Sequence, residues 1–329
     1  MKRIRHIIEY CLFQLVAGVV HVLPLPFARS MGARMGGAAY SLWGHRRGVT
    51  LENLRKAFPE KPEEQLQKIA RGAFRNVGTT FFELMWLSRM SRERLQGLVR
   101  FDKPELITAL HARGKGILLL TAHYGNWEWL AQGIIASFGI PIHIIVKTQA
   151  NPLVDRQINR RRTRLGNKVI AMETALREVL KQLREGNAIG IVADQAAPRE
   201  NAPIEFFGRP VPTHLGPAIF SLKMGAPLVA VFSLRQQDGS YVAQVLEIPT
   251  NDLKEFSEQN VIELTRRHVK MTEEFIRRYP DNWMWMHKRW KHVADDTGGY
   301  PSSMMPTQES GENVLSRRAT NAGTEKVPQ

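Results

Sequence analysis

A chain of 329 residues, 43% of them hydrophobic, can bury one large α/β domain with additions, or two domains. Its formal net charge of +15 calls for an anionic partner, whether nucleic acid, an acidic membrane surface or a phosphorylated substrate, and charge alone does not choose among them. The single cysteine, Cys11, excludes an intramolecular disulfide framework and a Cys-rich zinc site and suits a reducing cytosolic face.

The chain starts on the basic MKRIRH, and Ile7 to Phe27 is mostly apolar, broken by Glu9, Gln14 and His21 and ended by Pro24 and Pro26. That length can span a bilayer, yet Ile4, Ile7, Ile8, Cys11, Leu12, Leu15, Val19 and Leu23 also trace one helical stripe. Residues 1–27 therefore read as a membrane-associated helix that either crosses or lies in the interface. Lys2, Arg3 and Arg5 would keep its start in the cytoplasm, so cytosolic chemistry favours an in-plane or re-entrant anchor. No small-residue cleavage site follows the apolar core. Residues 28–100 read as a helical region packed on the core. Ala28 to Trp43 is rich in Gly and Ala, which suits close helix packing; Asn53 to Phe58 stops at Pro59; Glu63 to Met90 is a long amphipathic helix. Asn76 and Glu83 are embedded among its apolar residues, either as satisfied buried groups or as groups reaching a site.

After Arg100 the rhythm changes. Strand-like runs at Ile117–Thr121, Ile142–Val146, Val169–Ala171, Ala188–Ala193, Leu228–Ser233 and Val242–Ile248 alternate with helical stretches. Those helices are Lys103–Ala112, Trp127–Phe138, Pro152–Leu165, Glu173–Glu185 and Thr213–Met224, and a last one runs Leu253–Tyr279. Strand, crossover helix and strand in repetition predict an α/β fold over 101–296, with a mostly parallel central sheet flanked by helices. No internal repeat is present. From Thr297 to Gln329 the chain turns polar and reads as a disordered tail.

The stretch GILLLTAHYGNWEWL, Gly116 to Leu130, carries the chemistry. Ile117 to Leu120 suits a buried strand, Asn126 is a good N-cap, and His123 falls in the turn between strand and helix. With His123 ahead of the cap and Glu128 in the first helical turn, the two side chains can converge. The helix dipole favours an ionised carboxylate there, able to fix one imidazole nitrogen and leave the other basic. This predicts general-base catalysis by His123 with Glu128 as its partner. No Ser or Cys stands where a protein nucleophile should be and no G-x-S-x-G elbow appears, so the hydroxyl being activated belongs to a substrate. His-x4-Glu is a weak signal by itself, and a loop histidine bonded to a cap acid is the plain alternative.

Three further groups bear on chemistry. Arg156, Arg160, Arg161, Arg162 and Arg164 crowd one helix with Lys147 upstream; some can face solvent or lipid while others bind phosphate. Arg160 and Arg164 would share a face, with Arg162 pointing elsewhere. Asp194 and Gln195 end a buried strand, where either a substrate or metal contact or a turn-initiating Asp is possible. Phe206-Phe207-Gly208-Arg209-Pro210 makes an apolar loop that could wall an acyl chain or simply pack. Trp283 to Trp290 either sits at a lipid interface or packs, with packing favoured.

TAHYGNWE, NPLVDRQINRRRTRLGNK, GIVADQ, IEFFGRPVPTHLGPA, GAPLVAVF and RRYPDNWMWMHKRW, with NLRKAFPE upstream, run in order from Asn53 to Lys291. Together they resemble the lipid A late acyltransferases, the lauroyl and myristoyl transferases of the lysophospholipid acyltransferase superfamily. The resemblance implies a glycerolipid acyltransferase-like fold in which 101–296 is the acyltransferase domain. It implies acyl transfer from acyl carrier protein, or coenzyme A, to a hydroxyl of a phosphorylated glycolipid at the cytoplasmic face of the inner membrane, beside acidic membrane lipids. No cofactor, metal or nucleic acid is expected. Position by position, His123 resembles the catalytic base and Glu128 its carboxylate partner; Arg162, Arg164, Asp194, Gln195, Lys147 and Arg209 are the substrate-binding candidates. Lys147 stands where relatives often carry Arg, which loses the bidentate fork. The Glu-Gly-Thr-Arg block of the glycerol-phosphate branch is absent, which argues against a simple glycerophosphate acceptor. The remaining alternatives are a transferase for another glycolipid such as a phosphatidylinositol mannoside, a membrane-tethered basic binding protein, and an inactive scaffold.

Overall fold

Proline punctuation sets the first boundary in the computed structural model, which describes residues 2–293. α1 (Lys2–Val22) ends before Pro24, which caps α2 (Leu25–Leu42), with Pro26 in its first turn. α3 (Gly44–Ala57), α4 (Glu63–Trp86) and α5 (Arg92–Leu98) follow. α2 and α4 cross closely because Gly36 and Gly78 lie at the contact: a Cβ on Gly36 would fall 2.1 Å from the Phe74 carbonyl oxygen. On α1 Phe13, Ala17 and Val20 are buried, whereas Ile4, Ile7, Ile8, Leu12, Leu15, Val19 and Val22 form an exposed apolar stripe. Among the described residues no helix is long and apolar enough to cross a membrane, so the spanning reading of this segment finds no support.

Then come β1 (Val99–Phe101), α6 (Pro104–His111), β2 (Ile117–Thr121), α7 (Trp127–Phe138), β3 (Ile142–Val146), α8 (Pro152–Arg162) and β4 (Lys168–Ala171). α9 (Ala175–Arg184), β5 (Ala188–Val192), β6 (Pro203–Phe206), β7 (Arg209–Pro212), α10 (Gly216–Met224), β8 (Leu228–Arg235), β9 (Tyr241–Glu247) and α11 (Glu258–Arg278) complete the order. Seven strands form one sheet in the order β1-β9-β8-β2-β5-β3-β4, parallel throughout except where β8 meets β9. Strand alternation divides the core. Leu119, Ile142, Val229 and Val231 pack under Leu130 and Ile134 of α7, whereas Leu118, Leu120, Ile189 and Ile191 pack with Leu183, Leu264 and Phe275 of the other layer.

The mostly parallel α/β sheet matches expectation. Three readings need correction. β1 was not anticipated, because three residues carry no readable alternation. The Phe206–Arg209 stretch is a β-hairpin rather than a loop: its turn is Phe207 at φ 53° and Gly208 at φ 71°. α8 stops at Arg162, so Arg164 lies beyond the helix and shares no helical face with Arg160. The expected tail, 297–329, lies outside the described residues.

Candidate active site

The imidazole of His123 is presented by a turn that few other sequences could make. Gly125 adopts φ 56°, and a Cβ there would sit 1.7 Å from the Ser233 carbonyl oxygen. The turn is tied down on both sides: Gly125 N–H donates to Asn282 (2.9 Å), Met284 N–H donates to the His123 carbonyl (3.0 Å), and Thr80 Oγ1 donates to the Gly125 carbonyl (2.9 Å). Asn76 also donates to the carbonyls of Gly125 and Asn282. Asn126 caps α7 as expected, accepting from Trp129 N–H at 2.8 Å.

His123 does not pair with Glu128. Its Nδ1 lies 2.8 Å from Asp194 Oδ1, and its backbone N–H donates to Asp194 Oδ2 at 2.9 Å. Trp283 Nε1–H donates to the same Oδ2 at 2.7 Å. β2 and β5 are parallel neighbours, so their carboxyl ends bring residues 123 and 194 together. Burial would raise the Asp194 carboxyl, but His123 and the Trp283 indole outweigh it and hold the group below its usual range. An ionised Asp194 must accept from Nδ1–H, which leaves Nε2 as the basic nitrogen. Gln195 places its amide nitrogen 3.4 Å from His123 Nε2.

Glu128 instead turns to α8, where Arg162 grips it through Nε (2.9 Å) and Nη2 (2.5 Å); Trp127 Nε1 adds a third donor at 3.1 Å. Burial opposes its charge, and Arg162 with Trp127 reverses that to lower its pKa. The bidentate fork explains why local spacing misassigned it: Arg162, on another helix, outcompetes the imidazole.

His123 opens onto a cavity of about 860 Å³ that passes between α7 and the sheet. Its most buried lining, Leu119, Leu130, Ile134, Ile142 and Val231, is apolar, whereas Lys147, Gln149, His214, His287, Lys291 and His292 line it from exposed or half-buried positions. Of the expected substrate-binding residues, Arg162, Lys147 and Gln195 border this space together with His123 and Glu128. Arg164 does not: its guanidinium donates to the carbonyls of Leu87 and Met90 and holds α5's approach in place. Arg209 lines a separate groove with Lys56, Glu60, Phe207 and Arg277. Phe206 and Phe207 are buried against Trp283, Trp285 and Trp290 and wall no part of the cavity. Trp283 packs, as the sequence favours, and its indole also supports Asp194, a role that only the folded contact reveals. No group of His, Cys, Asp and Glu among the described residues has the arrangement of a metal site.

A family model described as bacterial lipid A biosynthesis acyltransferase matches residues 1–292. The chain is 24% identical over 282 residues to the lipid A biosynthesis palmitoleoyltransferase of Escherichia coli (strain K12), covering 82% of this chain and 86% of that protein. To the lipid A biosynthesis lauroyltransferase of the same organism it is 25% identical over 280 residues, 84% of this chain and 89% of the other. A phosphatidylinositol mannoside acyltransferase of Mycobacterium tuberculosis (strain CDC 1551 / Oshkosh) is 28% identical over 127 residues, 37% of this chain and 40% of that one.

Proposed function

The chain belongs to the bacterial lipid A biosynthesis acyltransferase family and is on that ground an O-acyltransferase, and we propose that it moves a fatty acyl group from a thioester, carried by acyl carrier protein or coenzyme A, to a hydroxyl of a phosphorylated lipid A precursor. The observation that carries this reading is a histidine with one ring nitrogen fixed by a buried carboxylate, at the edge of a deep apolar cavity. His123 Nε2 takes the proton of the acceptor hydroxyl as its oxygen attacks the thioester carbonyl. The tetrahedral intermediate forms beside the positive end of α7, and its collapse expels the thiolate, which recovers the proton from the imidazolium. The acyl chain lies in the apolar depth, where each buried methylene contributes about 0.8 kcal/mol. No protein nucleophile enters, and no acyl-enzyme forms.

Asp194 positions the base; Glu128 and Arg162 hold one wall of the site as a pair. Lys147 and Lys291 give the opening a positive potential suited to a phosphorylated head group. The exposed stripe of α1 seats the protein on the cytoplasmic face of the inner membrane, apolar side chains toward the acyl boundary and Lys2, Arg3 and Arg5 toward acidic lipid. A phosphatidylinositol mannoside acceptor is the second reading, favoured only by the shorter match. Family membership leaves the purely binding reading without support.

Purified protein offered a panel of acyl thioesters and glycolipids, with products read by mass spectrometry, tests this. Transfer to the phosphorylated lipid A precursor is expected, and His123→Ala should lose it while still sedimenting with vesicles. Near-normal transfer by that variant would remove the mechanism, and transfer only to mannosides would replace the acceptor.

A further inference from the structure

Gly190 occupies the middle of β5, which is hydrogen-bonded on both sides, by β2 and by β3. A glycine inside an inner strand gives up packing and backbone order, so its place there marks a close approach by something else. The register puts Leu119, Gly190 and Ile144 in one row across three strands, and all three border the cavity that opens at His123. In that row the flanking strands project a leucine and an isoleucine, and β5 projects nothing. Two residues deeper on the same face, Ala188 is fully buried, and Ile142 and Ile134 bound the space. A Cβ at position 190 would stand 2.9 Å from Ile142 Cγ2, closer than two carbons pack, and 3.7 Å from Ile144 Cγ1, so Ile142 already closes the deep side of the space over the glycine and even one added methyl group would have to push it aside.

Depth follows from strand geometry. From residue 123 to the row of Leu119 is four residues, about 13 Å at the parallel-strand rise. A zigzag of carbon–carbon bonds of about 1.5 Å advances about 1.3 Å per methylene, which places the gap about ten carbons from a carbonyl held at His123. We propose that Gly190 sets the acyl-chain length this protein accepts: the missing side chain lets an alkyl chain reach the Leu119–Ile144 row and end there against Ile142 and Ile134. The inference rests on the acyl-transfer reading for the identity of the ligand.

The test uses the full chain and saturated acyl donors of eight to sixteen carbons in competition, with products resolved by mass. Free fatty acids of the same lengths, scored by the thermal shift they induce, give a readout that needs no turnover. Gly190→Ala and Gly190→Val should move both profiles at least two carbons shorter, with discrimination of about fourfold for each methylene that no longer fits. Ile142→Ala should move them longer, and Gly190→Ala combined with Ile142→Ala should fall back toward wild type. Unchanged profiles, or equal loss at every length, would overturn the inference and leave acyl transfer standing. Fatty-acid profiles that shift in a protein transferring no acyl group would keep the inference and overturn the transfer. If the Gly190 variants fail to fold, Ile142→Ala alone decides: no lengthening refutes it.

Discussion

Replacing Asp194 by Asn distinguishes the carboxylate that holds His123 from the one that holds Arg162. Asp194 accepts from His123 Nδ1 at 2.8 Å, from His123 N–H at 2.9 Å and from Trp283 Nε1 at 2.7 Å. An asparagine oxygen can keep the last two bonds, which turns its NH₂ toward Nδ1. That nitrogen must then become the acceptor, so the ring's proton moves to Nε2 and no basic lone pair faces the acceptor hydroxyl. In Ser–His–Asp triads the corresponding change lowers kcat by about 10⁴-fold, and a loss of 10³ to 10⁴, roughly 4 to 5.5 kcal/mol of barrier, is expected here. Initial rates at saturating donor and acceptor measure it, and KM should change little because Asp194 is buried behind the imidazole. Glu128→Gln instead leaves Arg162 buried with a neutral partner; it should cost stability of order 3 kcal/mol and less of the chemical step. The reasoning fails if Asp194→Asn stays within tenfold of wild type while Glu128→Gln abolishes turnover at an unchanged melting temperature.

Gly125→Ala should fail to fold or lose at least roughly 4 kcal/mol by chemical denaturation, because its Cβ would overlap the Ser233 carbonyl at 1.7 Å and φ is 56°; normal stability would mean the turn can re-form elsewhere. Burial, helped by the charge of Arg289, pushes the His268 pKa from 6.5 to about 3. The unfolded chain therefore binds a proton that the folded one refuses between those values, and stability, complete above about pH 6.5, falls by about 1.4 kcal/mol per unit below it. His268→Leu should flatten the decline in melting temperature between pH 6.5 and 5, and an unaltered slope would count against this. Ile8→Glu with Leu12→Glu on the exposed stripe of α1 should release the protein from anionic vesicles without changing its melting temperature; continued sedimentation would place the membrane contact elsewhere.

How much was legible depended on how local the signal was. The β2–α7 unit is legible with its cap, because a short apolar run, Asn126 and a helical period lie within about twenty residues of one another. Asp194 is recognisable from sequence at a strand's end, yet its pairing with His123 is not. The pairing depends on β2 and β5 being adjacent, and strand order is set by packing across the whole sheet rather than by either strand's own sequence. Glu128 shows the converse. Spacing placed it near His123, but no spacing rule contains Arg162, which arrives from another helix and binds both oxygens. The β6–β7 hairpin was hidden because a left-handed turn residue is normally Asn or Gly, and here Phe207 takes that position while its ring packs against Phe58 and its N–H is held by Glu273.

The N-terminal helices also help to place His123, and Glu83 shows how. This carboxylate on α4 is fully buried and accepts from Arg29 of α2 (2.6 Å), Arg235 of β8 (3.0 Å to each oxygen), Tyr241 of β9 (2.6 Å) and the side chain of Asn126 (2.8 Å). Asn126 is the residue that caps α7 and follows the His123 turn, so the position of His123 is referred through Glu83 to two helices and two strands at once. A charge buried this completely is tolerable because its lone pairs are matched by surrounding donors; removing one donor costs more than the bond itself, because the carboxylate stays behind. The same α4 supplies Thr80 and Asn76, about one and two helical turns before Glu83, to the Gly125 carbonyl. A sheet alone would deliver residue 123 to the right edge but would leave its turn free to rotate. α4 removes that freedom, and this makes the 28–100 region part of the site's preorganisation rather than a separate cover over the core.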